Sequence, residues 1–310
     1  MISADSLSVT NKQRKLLMSE SNNTTIDIDL LTKLKTDIRR SAVLLGRKEA
    51  RFLVDQYYIL QDIRIRAGNQ RRQMENEPHQ LIDWMFGSYD MLEKNLKSTL
   101  GYFAQGYAVG KWLQSICGVG PVISAGLLSH LDIRNCKTAG HFWRFAGLDP
   151  TQTWDKGQKR PWNGDLKRLC FLIGESFVKV QSNKNDFYGQ LFAERKKYEA
   201  ERNEKGELAE QAKSKLEKFR IGHTTDAYKA YSQGILPPAH IHARARRWTI
   251  KLFLSHVHHV MYLDYYGQEP VKPYAFEKCE GDHRHYISPP NLPLPNGRNL
   301  KELLGEEKVD

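Results

Sequence analysis

Apolar positions along this chain recur at helical spacing, and no stretch of useful length shows the strict alternation of a half-buried strand. Residues 1–25 are rich in Ser, Asn and Thr and lack apolar periodicity, which predicts a disordered tail with order beginning near Ile26. Residues 42–74 contain no proline and only two glycines, with Leu53, Tyr57, Leu60 and Ala67 in helical register, so one long helix is expected there. Pro78 breaks it. Ile82, Met85, Tyr89, Leu92, Leu96, Thr99 and Phe103 then follow the 3,4 spacing of a coiled-coil seam. Residues 26–110 therefore read as an antiparallel helical coiled-coil hairpin, serving either as a bundle arm or as a dimerisation arm. A second unit is assigned to residues 111–288, followed by a Pro-rich and charged tail over 289–310. The fold class expected is all-α.

The second unit opens on Ile116, Cys117, Gly118, Val119, Gly120 and Pro121, continuing through Ser124 and Ala125. Apolar-Gly-apolar-Gly followed by a small residue is the helix-hairpin-helix pattern. Its turn presents backbone N–H groups at a helix start, and Pro121 suits the first helical position. The hairpin reads either as a phosphate contact, through Gly118, Val119, Gly120 and Ser124, or as a structural turn. A short helix ending at Gly147 precedes a polar loop in which Trp154, Lys156, Lys159, Arg160, Trp162, Asn163, Lys167 and Arg168 interleave cations with flat rings. Cations for phosphates and rings for unpaired bases are what single-stranded or looped RNA requires. The alternative is a solvated loop with two tryptophans docked on the core. An apolar helix is expected over 169–180, and residues 183–222, mixed in charge and broken near Gly206, read as exposed scaffold. After Pro238 a long, largely buried helix carries His240, His242, Arg244, Arg246, Arg247 and Lys251 in its first turns. These arginines must emerge at an edge or meet phosphate, since an unpaired buried guanidinium is very costly.

Charge sharpens the picture. Lys plus Arg number 47 against 36 for Asp plus Glu, a net +11 that attracts polyanions and makes nucleic acid the first partner to consider. No run approaches the apolar length of a membrane span and no signal peptide is recognisable, so no membrane association and a cytoplasmic location are expected. Cys117, Cys136, Cys170 and Cys279 are scattered without a C-x-x-C pair, which excludes a zinc-finger framework and favours free core cysteines. Seven of the eleven histidines, His240, His242, His256, His258, His259, His283 and His285, lie near the C-terminus. A metal site or acid–base ribonuclease chemistry is chemically open to them, but carboxylate or thiolate partners at a recognisable spacing are missing. No metal and no cofactor are expected.

Taken in order, ICGVGPVISAGLLSHLD, FWRFAGLDP, KRPWNGDLKRLCFLIGESF, NDFYGQLFAERKKYE and HARARRWTIKLFLSHVHHVMY resemble the C-terminal domain of the bridge-RNA-guided insertion-sequence transposases, across roughly residues 112–262. That family carries a catalytic serine just before the glycine of the basic loop, whereas Pro161, Trp162 and Asn163 precede Gly164 here. The N-terminal hundred residues also lack the acidic constellation of the family's nuclease-like domain. A coiled hairpin joined to this domain looks like the Nop-type RNA-binding proteins and, closer still, the standalone Tas proteins of tandem interspaced guide RNA systems. That resemblance implies a homodimer that binds guide RNA for pairing with target DNA, without a nuclease domain or catalytic residues of its own; a nuclease acting in trans stays open. The competing readings are a degenerate or trans-acting transposase and a histidine-dependent RNA-processing enzyme, with a structural factor preferring duplex DNA as a third.

Overall fold

The computed structural model describes residues 39–74, 80–134, 136–271 and 286–305. These residues are all-helical, and the one β-type contact among them is an isolated parallel bridge between Tyr107 and Arg298. The expected N-terminal tail, the break at 75–79, Cys279, His283 and His285 lie outside the described residues.

The long first helix starts later than its composition suggests. A 3₁₀ turn at Ser41–Leu44 ends where Leu45 turns extended, and α1 (Arg47–Gln73) begins behind Gly46. The Gly46 N–H donates to the Glu49 carboxylate at 2.8 Å, satisfying a donor that the helix start leaves open. α2 (Gln80–Gln105) runs antiparallel to α1, with Arg71 paired to Asp83 at 2.6 Å, Gly68 against the Phe86 ring, and Arg64 paired to Glu93 at 2.5 Å.

The inner part of the expected seam, Leu96, Thr99 and Phe103, packs on or near the core, but its outer part differs. Met85 and Leu92 are 38% and 43% exposed, while Phe86 and the buried Glu93 face α1. A carboxylate in that position is tolerated because Tyr57, Gln61 and Arg64 all donate to it. Desolvation opposes its charge, but those hydrogen bonds and the Arg64 charge outweigh it and hold the Glu93 carboxyl below the usual carboxylate range.

Only the inner half of this arm enters the core, through Ala50, Val54 and Tyr57 on α1 and Leu100, Phe103 and Ala104 on α2. α3 (Ala108–Gln114) and α4 (Pro121–His130) follow, then α5 (Ala139–Phe145) and α6 (Gly164–Val180). α6 starts five residues before the expected 169, because the Asn163 side chain accepts from Leu166 N–H at 2.9 Å and caps it. α7 (Tyr188–Glu204) and α8 (Ala209–Lys218) flank the predicted break, where Gly206 has φ +78°. With α9 (Asp226–Ser232), α8 forms a satellite built on Leu208, Ala212, Leu236 and Ile241. Asn203 ties that satellite to α7 through both of its amide atoms and the Leu236 backbone.

α10 (Pro238–Tyr266) is the axle of the fold, packing on α5, α6 and α7. Gly174 lets α6 cross it closely, since a Cβ there would lie 2.6 Å from Ile250. Residues 286–299 form a strap over the core. Trp112 Nε1 donates to the Pro290 carbonyl at 2.7 Å, and His256 Nε2 bonds the Ile287 carbonyl at 2.8 Å. The strap ends in a short helix, α11 (Leu300–Leu304), whose Leu300 and Leu304 are buried; regular structure was not expected there.

Candidate nucleic-acid interface

The turn between α3 and α4 has the backbone that its glycines anticipate. Gly118 adopts φ +88°, Gly120 caps α4 in extended conformation, and Pro121 occupies the first helical position. Ser176 Oγ donates to the Gly118 carbonyl at 2.6 Å, fixing the turn on α6. Two of the predicted contact side chains are turned inward. Val119 is buried, and Ser124 is fully buried with its hydroxyl donating to the Gly120 carbonyl at 3.0 Å. The hairpin can therefore offer a ligand backbone N–H groups but not the Ser124 hydroxyl.

The basic loop forms a second group. Arg160 lies 5.2 Å from the Trp154 ring, and Trp154, 37% exposed, donates its Nε1–H to the Gln158 carbonyl at 2.6 Å. Lys167 lies 4.1 Å from the Trp162 ring. Trp162 itself is wedged against Gly147, where a Cβ would approach the indole to 2.7 Å, so it is a docked ring rather than an open platform. Asn163 is occupied as the α6 cap. Lys156, Lys159, Arg160 and Lys167 make no ion pair with a carboxylate of the described residues, whereas Arg168 pairs with Asp62 at 3.4 Å and lies 5.5 Å from the Tyr58 ring. Partial burial and the neighbouring Arg160 hold the Lys167 ammonium below the usual lysine range.

The third group lies on α10 and divides in two. Arg244 pairs with Glu199 at 2.8 Å, and Arg246 pairs with Glu175 while lying 4.3 Å from the Phe171 ring. Both guanidiniums thus meet carboxylates, where edge exposure or phosphate was expected. Arg247 is exposed, and Lys251 lies 4.8 Å from the Trp143 ring, whose Nε1–H donates to the Lys251 carbonyl at 2.9 Å. Burial, with the Arg247 charge beside it, lowers the Lys251 ammonium despite the opposing pull of Asp149. His240 bonds the Tyr231 hydroxyl at 3.2 Å, and His242 packs edge-on to Phe192 at 5.1 Å.

α5 joins the loop to α10. Its Trp143 carries Lys251, and the Phe145 carbonyl accepts from Asn163 N–H at 2.9 Å. Loop and α10 are therefore both anchored on α5. The hairpin is further away, since Ser176 sits about 18 Å along α6 from Gly164 at 1.5 Å per residue. Arg168 and Tyr58 lie between them.

Sequence reasoning missed the ring–cation cluster on α7. Arg195 lies 4.9 Å from Tyr198 and 5.1 Å from Trp248 while bonded to Glu199, and Arg202 lies 5.6 Å from Tyr198. The signal was present in the helical spacing of Arg195, Tyr198, Glu199 and Arg202, but the mixed charge suggested scaffold.

The described histidines of the C-terminal cluster do not converge. His256 bonds the Tyr188 hydroxyl at 2.7 Å through Nδ1 and the strap through Nε2, His258 bonds the Cys136 carbonyl at 2.6 Å, and His259 pairs with Glu269 at 2.8 Å. Desolvation drives the His256 imidazole down to about 4, so it is neutral at pH 7. Among the described residues no group of three or more His, Cys, Asp or Glu side chains is arranged to hold a metal ion. Cys117 and Cys136 are half-buried and Cys170 is buried, all three as free thiols. No helix of the described residues is long and apolar enough to cross a membrane.

Residues 110–160 match the family described as Transposase IS116/IS110/IS902, a segment that begins in α3, contains α4 and α5, and ends in the basic loop. The chain thus carries a transposase-related domain. No curated protein and no solved structure matches it.

Proposed function

We propose that this protein is a guide-RNA-binding subunit of an RNA-guided DNA-targeting ribonucleoprotein, related to the insertion-sequence transposases but acting by binding rather than by cutting. The observation that carries the reading is the pairing of cations with aromatic rings instead of carboxylates: Arg160 on Trp154, Lys167 on Trp162 and Lys251 on Trp143. A ring orients a cation without neutralising it, so the charge stays available to a phosphate. Partial burial, with a neighbouring arginine adding to it, lowers the Lys167 and Lys251 ammoniums, and a phosphate placed beside either would favour its charged form. Base pairing by the guide would then read the target sequence while the protein holds backbone.

Use of Asn163 as a helix cap supports a binding role, since the position before Gly164 is committed to structure. The arm supports a homodimer. Its outer half presents Ile59, Trp84, Met85 and Leu92, apolar side chains that the other described residues leave exposed. A helical hairpin joined to a Nop-like domain with its helix-hairpin-helix is the architecture this reading implies.

The transposase match favours one second reading, a trans-acting or degenerate transposase that binds DNA directly. Purification from the native cell without nuclease, followed by sequencing of the copurified nucleic acid, separates the two. A discrete population of short RNAs with repeated structured segments is expected. Heterogeneous DNA, or RNA without a repeated element, would replace the guide reading with the transposase one.

A further inference from the structure

A cleft of about 460 Å³ opens where the root of the arm meets the α3–α4 turn, within the size range of sites for small molecules. Tyr58 and Leu172 supply apolar wall, Gln61 and Ser176 supply polar atoms, Lys97 contributes a cation, and Gly120 lies at the turn. The two polar groups are oriented by their other bonds. Gln61 Nε2 donates to the Tyr57 hydroxyl at 3.0 Å and to Glu93 at 3.2 Å, so the amide cannot rotate and its Oε1 remains as an acceptor. Ser176 spends its proton on the Gly118 carbonyl, leaving lone pairs to offer. Tyr58 is braced edge-on by Tyr57 at 5.4 Å, and Arg168, with a side chain 58% exposed, links it to the basic loop.

Two fixed acceptors beside an aromatic wall, with cations alongside, suit a flat heterocycle that carries an amino donor and a phosphate. We propose that this cleft receives one unstacked, amino-bearing nucleobase, adenine, cytosine or guanine, from the bound strand, and holds uracil, whose single N3–H can serve only one of the two acceptors, more weakly. The assignment rests on the nucleic-acid-binding reading above and adds to it a base-selective pocket distinct from the loop.

The full-length protein, freed of nucleic acid, is titrated separately with AMP, CMP, UMP and ribose 5-phosphate while the methyl resonances of Leu172 and Ile123 are followed. AMP and CMP are expected to shift these methyls, UMP to bind roughly five- to 100-fold more weakly for want of one hydrogen bond, and ribose 5-phosphate to leave them unmoved. Gly120→Leu supplies the second arm. A Cβ at Gly120 meets no other atom within 4 Å and its φ of -90° suits any residue, so a side chain can be added at this wall of the cleft without backbone strain, and the helical circular-dichroism signal verifies the fold. AMP shifts should vanish in that variant. Equal affinities for AMP and UMP, shifts produced by ribose 5-phosphate alone, or AMP binding that survives Gly120→Leu would each overturn the proposal. Free nucleotides report on the cleft alone. Failure here leaves RNA capture by the loop standing, and a protein that copurifies without guide RNA can still pass this test.

Discussion

Replacing Lys156, Lys159, Arg160 and Lys167 together with alanine should flatten the salt dependence of RNA binding while leaving the fold intact. These four cations make no ion pair with a described carboxylate, and Lys156, Lys159 and Arg160 are exposed, so their loss strands no buried partner. If each meets one phosphate of a single strand, the slope of log K against log salt falls by about 0.7 per residue, or about 2.8 for the set. Between about 50 and 200 mM salt the wild type should then lose roughly 50-fold more affinity than the variant. The assay is fluorescence anisotropy of a labelled copurified RNA over that range, with the helical circular-dichroism signal recorded alongside. Arg244→Ala is the internal control. Its guanidinium serves Glu199, whose side chain is 2% exposed, so its removal should cost about 2 kcal/mol of stability and leave the slope near wild type. An unchanged slope in the folded quadruple variant, or an equal loss of slope in Arg244→Ala, would remove the loop from the interface.

Met85→Glu with Leu92→Glu should convert a dimer to monomers in light scattering without lowering the melting temperature, because both side chains are already exposed in the monomer; a dimer that persists reassigns the arm to scaffold. Acid should weaken the fold in a defined window. The His256 pKa is about 4 folded and about 6.5 unfolded, so its contribution is fully present above about 6.5 and drains away as pH falls towards 4, with about 2 kcal/mol gone by pH 5. Urea titrations across that range should show the loss in wild type and a shallower one in His256→Gln; parallel curves would contradict the assignment. Gly147→Ala should lower the melting temperature, since φ +64° disfavours a side chain and the new Cβ would strike Trp162; an unperturbed Trp162 environment in its fluorescence would count against the docked ring.

Local chemistry was legible where neighbouring residues dictate it. Helical periodicity gave the all-α class, Gly118, Gly120 and Pro121 gave the turn before α4, Gly206 gave the break between α7 and α8, and Pro238 gave the start of α10. The interleaving of Trp154, Arg160, Trp162 and Lys167 likewise identified rings and cations that do meet in space. What a side chain faces depends on partners far away in sequence, and there the sequence was silent. The 3,4 spacing on α2 could not show that Phe86 and Glu93 would face α1, because the choice follows from Tyr57, Gln61 and Arg64 supplying three donors to a buried carboxylate. Nor could it divide the α10 cations into those paired with Glu175 and Glu199 and those with no carboxylate partner among the described residues. Three α10 histidines, close together along the chain, part in the fold because a helix turns successive rings towards different neighbours: His256 to the strap, His258 to Cys136, His259 to Glu269. Periodicity thus set the helical class, while long-range pairing decided which charges meet carboxylates and which polar groups are buried.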